Sequence, residues 1–454
     1  MSTIWNTAQI VALAPDSSSA KAGKSLATPR KWVVLGVDEQ AVWGECQGSA
    51  KEPYRTQVDA NETAFRCSCP SRKLPCKHGL GLLFLLESQP AAFTAKEQPT
   101  WVTEWLASRA KRAQQKANRE ERGPENRTVV DLAAQAKRLA GREAKVTAGL
   151  ADLELWLHDL IRNGLATAQG KPTSYWETTA ARMVDAQAPG VARLLREMAG
   201  IGNSGAGWEA RLLERLGRLH LLLEGFKFRA DLSPATQADI RSLIGWTQDQ
   251  EQLLAWEGVR DNWLVVGQRV VEEDRMRVQR TWLWGQQSQR AALVLSFAPS
   301  HQPLDTSLIV GTGLEAELVF YPSGYPLRAL VKQRYSPPVN FETLRAGRFT
   351  GGLGYPAIAV AYENYAKALA SYPWLEEFPM ALTAAIPVQL EQNWVIRDLA
   401  GQWLPLSPRF THIWHLVALS GGKPLPLFGE WDGNYFLPLS VWSEGRFIIM
   451  KVGL

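Results

Sequence analysis

Cys67-Ser68-Cys69 is followed six residues later by Cys76-Lys77-His78, so three thiols and one imidazole fall within twelve residues. The whole chain of 454 residues holds only four cysteines and six histidines, so idle cysteines beside an ordinary histidine are a poor account of this cluster. Three thiolates and one imidazole complete a tetrahedral zinc shell. With no position left for water, such a shell is structural, whereas a catalytic zinc keeps one position open. The spacing suits this use. Residues two apart on a strand share a face, so Cys67 and Cys69 can both meet a metal from one strand end. Residues two apart on a helix diverge by about 200°. Cys76 and His78 therefore cannot both lie in regular helix. Pro75 steers Leu74 away from helix, which places Cys76 in the turn and His78 near the first helical turn. Cys46 is left over and reads as a strand residue.

The elements that must hold these ligands are strand-like runs at 31–38, 41–47, 54–59 and 63–67. Gly48-Ser49 and Asn61 serve as turn residues between them. Pro70 ends the last strand. The apolar run Leu80–Leu86 then reads as a helix ending near Glu87. The pattern is β-β-β around the first cysteine pair, then the second ligand pair, then α. Upstream, Ser17 to Ser25 contains Gly23-Lys24-Ser25, but a phosphate-binding loop needs glycine where Ser18 stands and a strand leading in.

The spacing CxC-x6-CxH resembles the SWIM zinc finger, a family named for its occurrence in Swi/Snf-type ATPases and Mutator-type transposases. The flanking residues Trp43 to Ser49, Pro53 to Thr56 and Phe65 to Leu82 are similar to stand-alone bacterial SWIM proteins, over about residues 30–90. The resemblance implies a finger used to bind DNA or protein. It further implies an assembly or chaperone-like system, because stand-alone SWIM proteins resemble components encoded beside MoxR-type AAA+ ATPases and von Willebrand A-domain proteins.

Charge is uneven along the chain. Residues 1–127 carry 18 Lys/Arg against 13 Asp/Glu, and the remaining 327 carry 32 of each. Three thiolates and a neutral imidazole leave a zinc centre at net −1. Between Thr63 and Leu86 there is no acid, while Arg66, Arg72, Lys73 and Lys77 are present. These cations either offset the metal centre or contact nucleic-acid phosphates, joined by the seven basic residues of 109–127. The 19 tryptophans sit mostly in alternating strand patterns such as Trp282 and Trp284, which favours core or interface packing over base stacking.

The predicted fold is α+β and multidomain. Residues 1–30 form a lead-in, 31–95 a small βββα SWIM finger, and 96–127 a basic helical linker. Residues 128–260 form a helical domain and 261–454 a Trp-rich, mainly antiparallel β domain. In the helical part Leu139, Val146, Leu150, Leu153, Leu157 and Leu160 keep helical spacing, as do Leu212, Leu213, Leu216, Leu219 and Leu223. Thr128/Asp131 and Ser174/Glu177 resemble capping boxes, and Ser233-Pro234 reads as cap and first helical residue. In the β part a hairpin is expected across 272–274, and one substantial helix across 357–372. Residues 401–407 echo 433–440 as a repeated hairpin unit.

No HExxH, GxSxG, phosphate loop or dinucleotide fingerprint occurs. His412 and His415 fall in strand-like sequence and would face opposite sides. No apolar run approaches the roughly 20 residues of a membrane span, and no signal peptide is evident at the N-terminus. The expectation is a cytoplasmic, non-enzymatic interaction protein with one structural Zn²⁺ and no membrane association. Its main ligand is expected to be protein. DNA or RNA binding through the basic finger, or an unrecognised nucleic-acid-processing enzyme, is the alternative.

Overall fold

The computed structural model describes residues 5–48, 52–71, 73–95, 97–121, 129–273, 276–299, 302, 304–341 and 354–450. Among these residues there are thirteen α-helices and three antiparallel sheets. The mixed α+β, multidomain reading holds.

The N-terminal sheet is a meander of β1 (Trp32–Val37), β2 (Ala41–Cys46), β3 (Tyr54–Asp59) and β4 (Phe65–Cys67), in that order. It has one strand more than the βββα pattern. Before it run α1 (Thr7–Leu13) and α2 (Ser17–Lys24), and after it α3 (Lys77–Ser88). Every residue of α3 from His78 to Leu86 is buried. A helix that is apolar all round must be covered all round. The sheet covers one side of α3, and α1 and α2 cover the other. Close approach is possible because a Cβ on Gly23 would sit 2.7 Å from the Leu80 Cβ, and one on Gly81 would sit 2.7 Å from the Leu26 Cβ. The described part of the lead-in, residues 5–30, is thus part of the finger's own packing, with Trp5 and Ile10 in its core. The Gly-Lys-Ser triplet lies at the end of α2 and serves this contact.

Next comes α4 (Thr100–Glu121), whose Val102 packs on Ala41 and Trp43. The predicted linker therefore begins as a helix docked on the finger. Its break at Gly123-Pro124 and the Thr128 cap lie outside the described residues.

The helical region contains α5 (Val129–Arg162), α6 (Ala166–Gln169), α7 (Thr173–Asp185), α8 (Pro189–Met198), α9 (Trp208–Lys227), α10 (Pro234–Ile244) and α11 (Gln250–Leu254). The apolar stripes close into one core from Val146 to Ile244, joined from farther along the chain by Trp374 and Tyr372. Leu139 and Leu213 depart from the expectation and are exposed. Ser233 caps Thr236 N at 3.2 Å as expected. Ser174 does not cap, because α7 begins after Pro172 and puts Ser174 inside the first turn. Glu177 pairs instead with Arg196 at 2.8 Å.

The second sheet has β5 (Val259–Glu273), β6 (Met276–Gly285), β7 (Ala291–Pro299), β8 (Thr312–Phe320), β9 (Ala329–Arg334) and β10 (Val339–Asn340). Its order is β10-β8-β5-β6-β7, with β9 also on β8. The expected hairpin pairs Glu273 with Met276. Leu293 N donates to Leu327 O at 2.7 Å, so the sheet curls until β7 and β9 touch at one end.

The third sheet has β11 (Phe378–Leu390), β12 (Asn393–Arg397), β13 (Trp403–Pro405), β14 (Leu425–Trp431), β15 (Phe436–Ser443) and β16 (Arg446–Ile449), ordered β13-β12-β11-β14-β15-β16. The echoed segments are the second strands of the β12–β13 and β14–β15 hairpins, and each hairpin loop is closed by an aspartate, Asp398 or Asp432. The expected helix is α12 (Ile358–Ser371). A second helix, α13 (Ile413–Ser420), corrects the strand expectation around the two histidines. Its buried residues, Leu416 and Ser420, lie four apart, which is helical spacing. His412 and His415 are both exposed.

The two β-rich layers meet through a buried ionic cluster. Glu430, only 2% exposed, accepts from Arg269 and from Trp282 Nε1 at 2.7 Å, and Glu377 accepts from Arg269 at 2.5 Å and Arg280 at 2.6 Å. Removing one member strands the others in a low-dielectric layer. Glu430→Ala is expected to cost about 3–5 kcal/mol of stability, read as a lower urea midpoint. Arg55→Ala, which breaks an exposed pair with Glu45 at 3.3 Å, should cost under ~1 kcal/mol. Equal effects of the two substitutions would contradict this account.

Candidate metal centre

Cys67 ends β4, and Ser68 N continues the pairing by donating to Arg55 O at 2.9 Å. Cys69 follows just past the strand end. Cys76 is the N-cap of α3, and His78 is its second residue. The proline-bounded loop thus puts one ligand in the turn and one in the first helical turn, as the spacing requires.

The ligand atoms of Cys67, Cys69, Cys76 and His78 all lie within 4.8 Å of one another. His78 Nδ1 is 3.7 Å from Cys67 Sγ and 4.0 Å from Cys76 Sγ. Zinc–sulfur and zinc–nitrogen bonds of about 2.3 and 2.0–2.1 Å at a tetrahedral angle require a separation of roughly 3.6 Å. The donor set fits zinc in chemistry and size, with Nδ1 as the imidazole ligand. Cys76 and His78 are buried, while Cys67 and Cys69 are half-buried.

The thiols do not behave alike. Cys67 is drawn down to about 4, chiefly by the Cys76 thiol, with help from His78 and Thr56. Cys76 is pushed up, first by the charge it supports on Cys67 and then by burial. Crowded thiols cannot all ionise unaided, and a dication in their midst removes that conflict. Two supporting residues carried no sequence signal as site residues. Thr56 Oγ1 lies 3.0 Å from Cys67 Sγ, and the Tyr54 ring packs on His78 at 4.9 Å. Cys46 lies buried at the end of β2 and outside the cluster; burial, then the nearby Cys67, pushes its thiol up to about 11.

Residues 54–87 match the SWIM zinc finger family model. Residues 141–244 match the SWIM-associated four-helix bundle domain. No curated protein and no solved structure matches the chain. The chain therefore carries a zinc-binding SWIM finger together with the helical domain that is associated with that finger.

Of the four cations singled out, Arg66 and Lys77 are exposed. Lys73 is exposed but engaged, its Nζ 2.7 Å from Asp16 Oδ2 at the cap of α2. Arg72 lies outside the described residues. The structure thus ties one of these cations to the finger's own fold. Asp16 could have been found from the sequence, since Asp before a run of serines is a helix-cap signal.

Purified protein is expected to hold about one zinc per chain, and Cys76→Ser to lose it, whereas Cys46→Ser should keep it. Elemental analysis of protein prepared without chelator checks all three. Structural zinc contributes about 10–16 kcal/mol of apparent binding energy in small fingers. Chelation should therefore expose residues 31–95 to protease first. The bundle core from Val146 to Ile244 contains no finger residue and should survive. Simultaneous digestion of both regions would refute that independence.

Proposed function

We propose that the chain is a non-enzymatic, zinc-stabilised scaffold of the cytoplasm. In this reading its main partner is a protein of a MoxR-type AAA+ ATPase and von Willebrand A-domain system. The observation that carries the reading is the surface of the β-rich part. That part is close to neutral in charge, yet it exposes large apolar side chains: Trp414 is 71% and Leu399 70% accessible. Aromatic anchors of this kind are what protein interfaces bury. The zinc shell is filled by four protein ligands, which supports a structural rather than a catalytic metal. No helix among the described residues is long and apolar enough to cross a membrane.

A second reading rests on exposed Arg66 and Lys77 beside the finger, which suit phosphate contact. Each neutralised phosphate would add about −0.9 to the slope of log affinity against log salt on duplex DNA.

The test is retention of partners from native extract by the zinc-loaded full-length chain, with and without nuclease, followed by mass spectrometry. The scaffold reading expects an AAA+ ATPase or a von Willebrand A-domain protein in both samples. Loss of all partners after nuclease treatment would replace it by the nucleic-acid reading. In that case Arg66→Ala combined with Lys77→Ala should flatten the salt slope by up to about two without zinc loss.

A further inference from the structure

The finger and the second sheet meet along a cleft of about 950 Å³. Its walls come from three places. Glu62, Phe65, Leu74 and Pro75 are among the finger residues, Arg109 belongs to α4, and apart from Gln250 of α11 the remaining wall is β-rich. The β-rich wall has a telling pattern. Four consecutive residues of β7, 294–297, and five consecutive residues of β9, 330–334, all line the cleft. Side chains alternate between the faces of a strand. A run of consecutive lining residues therefore means that strand edges, not strand faces, look into the space.

Among the described residues those edges are free: apart from the bridge at Leu293, β7 pairs only with β6, and β9 only with β8. The two strands touch at the parallel bridge between Leu293 and Arg328 and then part. Among the described residues no backbone hydrogen bond crosses from 294–297 to 330–334. Free edges are templates for another strand, and folded proteins normally blunt or cover them. Here Phe297, 53% exposed, stands on the β7 edge.

The charges in the cleft are unequally matched. Arg109 pairs with Asp59 and Glu62, and Lys332 pairs with Glu317. Among the described residues the Arg334 side chain makes hydrogen bonds only to Ser307, to its carbonyl at 3.1 Å and its hydroxyl at 2.7 Å, and forms no ion pair. Burial holds its guanidinium below the usual range, with Asp305, Glu62 and Asp59 opposing from a distance. A half-buried guanidinium without a carboxylate partner is a site for one, and its planar fork pairs with a carboxylate in bidentate fashion.

We infer that this cleft binds an extended peptide of a partner protein, which adds as a strand to the β7 edge and sets an acidic side chain against Arg334. Main-chain pairing to an exposed sheet edge supplies affinity, and pockets for alternate side chains supply selectivity. Apolar residues flanking the acid would meet Phe65, Leu74 and Phe297. A nucleic acid has no backbone donors and acceptors that match a strand edge. The inference rests on the scaffold reading and names a surface for it.

The test uses the zinc-loaded full-length chain and displayed random short peptides. Enriched sequences should alternate apolar residues around at least one Asp or Glu. Binding of the best peptide should slow amide exchange at 294–297 and 330–334. Arg334→Glu should weaken it by at least about tenfold, and a Lys-for-acid version of the peptide should bind Arg334→Glu better than the parent chain. Zinc content and melting temperature verify that the variant folds; Arg334→Gln replaces it if it does not. No enrichment, protection confined to other amides, or indifference to the charge swap would overturn the inference. Retention of the ATPase or A-domain partner in that event would leave the scaffold standing with another docking face. Peptide binding as expected, with no protein partner retained from extract, would remove the scaffold assignment and leave the cleft intact.

Discussion

Four donor atoms must converge between the end of β4 and the first turn of α3, and the N-terminal third is built outward from that requirement. The metal cross-link fixes where α3 starts and which way it runs. Because α3 is apolar on every side, it cannot stand on the four-stranded sheet alone. α1 and α2 complete its cover, and glycines at 23 and 81 let the helices close. α1 in turn carries Gln9, which donates to Val310 O at 3.2 Å in the second sheet. Thr306 Oγ1 donates to Thr63 O at 2.9 Å, and Ile309 enters the finger's core. The metal shell thus sets the position of α3, and α1, packed on α3, anchors the finger to the β-rich part.

The β-rich part is held by different physics. Its two sheets approach closely at Gly267, where a Cβ would meet Phe428 at 2.8 Å. Beside that contact lie the buried charges of Arg269, Arg280, Glu377 and Glu430. Buried ion pairs add little net stability over apolar packing, but they penalise any arrangement that leaves a charge unpaired. The cluster therefore acts on register between the sheets more than on total stability. The finger relies on coordination because its core is small. The β-rich part relies on a large apolar core and needs the charges only for alignment.

The cleft follows from joining these units. A curled sheet whose ends meet at Leu293 and Arg328 and then separate leaves two strand edges free among the described residues, and the docked finger and α4 line the space beside them without pairing them. Such open edges are usually a hazard, which folded proteins blunt or cover.

Much of the site was legible in the sequence because its geometry is local. Cys67, Cys69, Cys76 and His78 lie within twelve residues, and strand and helix periodicities alone decide which of them can share a metal. The helical stripe from Val146 to Leu160 and the hairpin at Glu273 and Met276 were legible for the same reason, since near neighbours along the chain set them. What the sequence did not reveal depends on residues far apart. Leu213 has helical spacing yet lies exposed, and Lys73 turned out to face Asp16, 57 positions away. Gln9 is buried against Val310, 301 positions on. The sequence by itself determined the metal and its four ligands. Only the tertiary structure decided which helices cover α3, which cations remain open to solvent and where two strand edges go unpaired, because burial and pairing are properties of whichever distant surface arrives.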